Sequence, residues 1–230
     1  MAAVLMLVSL AACSINININ NPTENTEVSD TQQPADATKA PTGSLSDYVR
    51  TLMENEVPNK NGETTVFRIP EILLDSEDAK AANSDIVKKY SVGISGDAGI
   101  NKLDYTATLN DWLLSVSVSA AYEGGSVGGD AYCFDVTTGK KAGSDAICKY
   151  KGVSYTDVID QIEKALDKYY KDHSFDKLPL NEDMKAKTFS AKNIKDARLY
   201  LNDKGKIMCI ADVYASVGGG HFIVDTELDL

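Results

Sequence analysis

Histidine occurs at only two positions, His173 and His221, and tryptophan at one, Trp112. Hydrolytic zinc sites draw on two or three His, or on Cys and His at tight spacing. Neither HExxH nor a paired CxxC is present, so the sequence offers no metal or other cofactor site. Positive charge is also short. Lys and Arg total 23 against 34 Asp and Glu, a formal net charge of −11. Nucleic acid binding depends on cations that neutralise phosphate, and this balance excludes it. An acidic surface keeps an exported protein soluble and draws in cationic partners.

Cysteine is sparse as well, at Cys13, Cys133, Cys148 and Cys209. With Cys13 set apart for the reason given below, three remain, and an odd number cannot be fully paired. Cys133 and Cys209 lie in strand-like stretches where a thiol acts as a small hydrophobe. A Cys133–Cys148 bridge is the pairing the spacing leaves open. Cys209 and His221 could meet across a sheet as nucleophile and base, but Cys209 shares its strand face with Ile207, Ala211 and Val213, and a packed thiol is the expectation. Asp and Glu are so abundant that no pair stands out for glycoside cleavage.

No run of about 20 apolar residues, the length needed to span a bilayer in a helix, occurs anywhere. What does occur is a shorter one. Residues 1–12 are mostly apolar, end in Leu10-Ala11-Ala12-Cys13, and give way at once to a polar stretch. An apolar residue, two small ones and a cysteine form the pattern at which bacterial lipoprotein signals are cut. The expectation is a signal peptide over 1–12 and a diacylglyceryl group on the sulfur of Cys13, which anchors the chain to the membrane from the extracytoplasmic side. An ordinary cleaved signal is the alternative. Two acyl chains, at about 0.8 kcal/mol per buried methylene, hold stably where one chain binds reversibly.

Residues 14–43 carry three prolines and no aromatic residue, too little apolar surface to offset ordering, and read as a tether. As a coil it would span roughly 30 Å. Residues 44–62 read as an amphipathic helix and connector, because Leu45, Tyr48, Val49, Leu52 and Met53 recur at helical spacing behind Ser44. Residues 63–230 read as one domain. TTVFRIP is a short strand closed by Pro70, and DSEDAKAANSDIVKKY is a helix with acids at its start and lysines at its end. LDYTATLN and DWLLSVSVSAAY are strands. In the second, apolar residues from Trp112 to Tyr122 alternate with Ser115, Ser117 and Ser119, the period of a sheet with one wet face.

SYTDVIDQIEKALDKYY is the clearest helix, and RLYLNDKGKIMCIADVY is a hairpin turning at Gly205. HFIVDTELDL is a last strand. Strands thus cluster before and after the helices, which indicates an α+β fold: an antiparallel sheet with helices packed mainly on one face. Two glycine-rich segments read as mobile loops that could contact a partner. They are Gly124, Gly125, Ser126, Val127, Gly128, Gly129 and Asp130, and then Gly218, Gly219, Gly220 and His221.

Four stretches carry a resemblance. IPEILLDSEDAKAANSDIVKKY looks like an opening strand and an Asn-containing helix. AYEGG with CFDVTTGK resembles a Tyr, paired glycines and a Thr-Gly-Lys turn. YTDVIDQIEKAL is similar to a central helix, and LYLNDKGKIMCIADVYASVGGG to a terminal hairpin. In this order they resemble the extracytoplasmic domain of lysozyme-sensing anti-sigma factors, also found beside the catalytic domain of certain peptidoglycan deacetylases. Ser126-Val127 departs from that family, which often has Ala-His there. The resemblance implies an α+β fold and a non-catalytic recognition role outside the cell, toward a cationic protein of the lysozyme kind or a peptidoglycan fragment. The competing expectations are a wall-modifying hydrolase using a carboxylate pair, and an accessory subunit of an envelope complex.

Overall fold

The computed structural model describes residues 43–58, 63–95, 99–123, 127–173, 175, 182–214 and 221–230. The elements run β1 (Val49–Pro58), β2 (Thr64–Ile72), α1 (Glu77–Tyr90), β3 (Ile100–Asn110), β4 (Leu113–Tyr122), β5 (Val127–Asp135), α2 (Ser144–Lys151), α3 (Tyr155–Asp172), α4 (Glu182–Thr188), α5 (Ala191–Lys195), β6 (Arg198–Leu201), β7 (Ile207–Tyr214) and β8 (His221–Glu227). The strands form three antiparallel sheets, β1-β2, β3-β4-β5 and β6-β7-β8. This is the α+β class, with α1 on one core and the other helices on a second. Among the described residues, no helix is long and apolar enough to cross a membrane.

The segment expected as an amphipathic helix is a strand. A 3-10 turn at Leu45–Asp47 leads into β1, which pairs with β2 from Val49↔Ile72 to Pro58↔Thr64. The register slips between Thr51 and Met53, leaving Leu52 as an extra bulged residue. The bulge lets Val49 and Leu52, three residues apart, both face the first core, a spacing that mimics a helix, while Met53 stays exposed and pairing with the Thr- and Val-containing β2 decides the conformation. Pro70 does not close β2, which runs on to Ile72; it sits opposite Thr51 beside the bulge, where a missing N–H is tolerated.

Helix α1 is capped by Ser76, whose Oγ accepts from the Ala79 N–H at 3.1 Å, and it buries Ala79, Ala82, Ile86 and Tyr90. These meet Ile69, Leu103, Leu114, Val116, Val118 and Phe134 in the first core. Burying each large apolar side chain contributes about 1.5–3 kcal/mol.

The serine face of β4 is not wet. Ser115 is 1 % exposed and Ser117 8 %. The β6-β7-β8 sheet lies over it: Ser115 Oγ accepts the Leu201 N–H at 3.1 Å, and the Cys133 thiol donates to Leu199 O at 3.4 Å. Strict alternation therefore reflects two different coverings, apolar packing on one face and hydrogen-bonded serines on the other. Trp112 packs on the serine side, with the second core, and not with Leu114. On the far side of that core α3 buries Val158, Ile162, Leu166 and Tyr170, the last donating to Tyr214 O. The cysteines Cys133, Cys148 and Cys209 are all free and buried, so the Cys133–Cys148 bridge does not form.

Candidate functional site

Cys13, Gly124, Gly125, Ser126, Gly218, Gly219 and Gly220 lie outside the described residues. Of the two glycine-rich segments, Val127, Gly128, Gly129, Asp130 and His221 are described, and all five belong to strands β5 and β8. The expected loop at Val127–Asp130 is thus replaced by pairing with β4, Ala121↔Val127 to Val118↔Asp130. Gly129 serves close packing. A Cβ there would stand 2.9 Å from Ile223 Cδ1 and 3.1 Å from Val118 O, so the absent side chain lets β8 settle on β5.

The packing brings Asp130 and His221 into one polar cluster at the end of the sheets. Asp130 accepts from Lys89 Nζ at 3.0 Å and from the Tyr90 hydroxyl at 2.8 Å. Lys89 also reaches Asp85 at 2.8 Å, and the Tyr132 hydroxyl donates to Asp85 at 2.7 Å. On the other side Arg198 donates to Asp212 at 2.7 Å, and His221 Nε2 stands 3.5 Å from the same carboxylate. Arg198 Nε is buried with no hydrogen-bond partner among the described residues.

The electrostatics follow from these contacts. Burial alone would raise Asp85, but hydrogen bonds from Lys89 and Tyr132 outweigh it and hold the carboxyl below its ordinary value. Desolvation pushes both Tyr90 and Tyr132 up, and the neighbouring carboxylates push them the same way. Desolvation would lower Arg198, yet Asp212, with Asp130 further off, keeps it raised. Apart from Arg198 Nε, the cations and hydroxyls of the cluster are paired with its carboxylates, the arrangement of a brace rather than of a proton-transfer site. Lys89, Tyr90, Arg198 and Asp212 escape sequence reading. The usable signal is a charge inside an apolar strand: Asp212 in IADVY and Arg198 before Leu199-Tyr200-Leu201.

A cleft of about 580 Å³ lies elsewhere, between α3 and β8. Gln161, Lys164, Lys168 and Tyr169 form one wall, and residues 223–229 and Val127 the other. The Tyr200 hydroxyl donates to Asp225 at 2.8 Å. Desolvation raises the Asp225 carboxyl above its ordinary value, and that hydrogen bond only partly opposes it. Cys209, considered above as a nucleophile beside His221, is fully buried with its thiol pushed up to about 12 by desolvation, which rules it out for that role.

No family model matches the chain, and no curated protein matches it at a significant level.

Proposed function

We propose that this protein is a lipoprotein, anchored at Cys13 on the extracytoplasmic face of the membrane, whose α+β domain binds an envelope or host-derived partner and catalyses nothing. The observation that carries the reading is the border Leu10-Ala11-Ala12-Cys13, where an apolar run stops at a cysteine and a mostly polar stretch with three prolines follows. The resemblance to the extracytoplasmic domain of lysozyme-sensing anti-sigma factors belongs to the same proposal and names the partner class, a cationic protein of the lysozyme kind or a wall glycan. The net charge of −11 supports the cationic choice. The polar cluster supports a non-catalytic role, since Asp85, Asp130 and Asp212 are all engaged with cations or hydroxyls.

Fatty-acid labelling of the wild type and of Cys13→Ser tests the anchor; label on both variants, or on neither, defeats it. Titration against lysozymes and muropeptides at low salt tests the binding role. A second reading, a wall hydrolase, is favoured by one observation, the raised carboxyl of Asp225 beside Glu227 on the cleft edge. Turnover of peptidoglycan that disappears in Asp225→Asn would establish it in place of the first.

A further inference from the structure

We infer that the outer edge of β8 is a docking edge that takes an extended, lysine-bearing peptide segment of the partner as an added strand. The inference rests on the binding role proposed above and gives that role a site and a ligand class.

Register decides which backbone groups face outward. In the order β6-β7-β8, β8 is an edge strand, bonded to β7 alone. The Leu228 N–H donates to Ile207 O at 2.9 Å, which fixes the phase. In an antiparallel pair, alternate residues aim both backbone groups at the partner. Phe222, Val224 and Thr226 therefore face β7, and Ile223, Asp225 and Glu227 aim N–H and C=O outward. Natural edge strands are usually blunted by proline, a bulge, a lysine or a covering element. Strand β8 carries no proline, bulge or lysine: its register with β7 runs unbroken from Tyr214↔His221 to Met208↔Glu227, and α3 stands beside it across a cleft. The cleft of about 580 Å³ opens along that edge. Seven strand residues at roughly 3.4 Å each give an edge above 20 Å, long enough to pair five or six residues of a ligand.

Charge selects the ligand. Lys168 on the α3 wall is paired with Asp172. Along the strand itself, Asp225 and Glu227 alternate toward one side, and Asp229 follows at the same spacing. Tyr200 occupies one oxygen of Asp225 and Asn202 one oxygen of Glu227, so each carboxylate keeps an oxygen for an incoming group. A paired strand presents its own side chains at the same two-residue repeat, so lysines at alternate positions meet these acids across the strands, the favourable arrangement for cross-strand pairs. A second copy of this chain does not fit, because antiparallel pairing of β8 with itself about Asp225 sets acid against acid.

The test uses the full-length chain, isotope-labelled, titrated with an eight-residue peptide alternating Lys and Val and with its Glu-Val counterpart. The Lys peptide binds, slows amide exchange at Ile223, Asp225 and Glu227 at least tenfold, and loses affinity as salt rises; the Glu peptide does neither. Asp225→Pro removes one outward N–H without touching the bonds to β7, and weakens binding at least tenfold. Should that variant fail to fold, the surface pair Glu227→Lys and Asp229→Lys gives a comparable loss with the backbone intact. Equal binding of the two peptides, binding without protection of those amides, self-association through β8, or protection of the edge by a chitooligosaccharide would each overturn the inference. A lysozyme that binds the wild type and both variants alike would also overturn it, yet leave the binding role proposed above standing. Protection by the Lys peptide with no response to lysozymes or muropeptides would uphold the edge and remove those two as its partners.

Discussion

Asn83 shows how one side chain can complete two backbone groups. From the middle of α1, its Oδ1 accepts the Ile72 N–H and its Nδ2 donates to Ile72 O, both at 2.8 Å. The end of β2 is thereby fastened to the helix that follows. Asn83→Ala leaves a half-buried N–H and C=O without partners, a cost of about 1–3 kcal/mol for each group truly withheld from water. Urea denaturation is expected to show a fall in stability within that range at unchanged m-value. The neighbouring Ser84 is exposed, and Ser84→Ala, the control, should be silent. The buried thiols make a second residue-scale case. Desolvation pushes Cys133 up to about 11 and Cys209 up to about 12. A native pKa raised above the unfolded value of about 8.5 means that these thiols favour the folded state below that pH and cease to do so as pH climbs through the native values. In a Cys13→Ser background, a thiol reagent at pH 8 should label none of the three remaining cysteines until denaturant is added. Rapid labelling of the native protein would show that the second core, which holds all three thiols, opens locally.

At the scale of elements, the fold was legible where local chemistry and tertiary environment agree. Helix α1, helix α3 and the β6–β7 hairpin carry their own caps and turns: Ser76, Ser154 and Gly205 at φ +65°. Reading failed where a partner strand or sheet decided the outcome. Strand β1 owes its conformation to β2, and the bulge at Leu52 disguised its period. The coverage of Ser115 depends on a sheet more than 80 residues away in sequence, through the bond from Leu201. The candidate site escaped for the same reason. Gly129 marks a close approach between strands, and only the packing of β8 onto β5 reveals it. Helices α2, α4 and α5 are short, with five to eight residues each, too few turns for a clear apolar stripe. The turn after β5 offers a test. The Asp135 carboxylate accepts from the Thr137 N–H at 2.8 Å and the Thr137 hydroxyl at 2.6 Å. Burial would raise this carboxyl, but those bonds lower it below its ordinary value. A depressed native pKa stabilises the fold above the unfolded value of about 3.9 and loses that contribution as pH falls through the native one. Asp135→Asn should therefore flatten the acid limb of the stability profile below about pH 4. Gly139 closes the same turn at φ +70°, with the Ser76 Cβ 2.8 Å from where its own Cβ would stand. Gly139→Ala should cost more than about 1 kcal/mol, because the strain of a positive φ and the clash with the α1 cap act together.

Across the whole molecule, the question is whether two cores make one cooperative unit. They share the β3-β4-β5 sheet, and β4 divides its residues between them: Leu114, Val116 and Val118 enter the core beneath α1, while Leu113 enters the core beneath α3. Adjacent residues of one strand thus belong to opposite sides, so neither core can lose its sheet without exposing the other. Hydrogen bonds through the sheet reinforce the link, since Ser115 and Thr108 hold the N–H and C=O of Leu201 in β6. Trp112, the one tryptophan, packs in the second core, edge-on to Tyr150 with ring centroids 5.4 Å apart, and reports on that side alone. A lesion on the other side can then be read at a distance. Val116→Ala removes two methyls from the first core, at a site with no solvent exposure, and should destabilise by roughly 1–3 kcal/mol. If the cores unfold together, the Trp112 fluorescence midpoint in urea shifts by the full amount and coincides with the loss of far-ultraviolet ellipticity. A fluorescence midpoint that stays at its wild-type position while ellipticity falls early would mean that the first core opens by itself, and that the shared strand does not couple them.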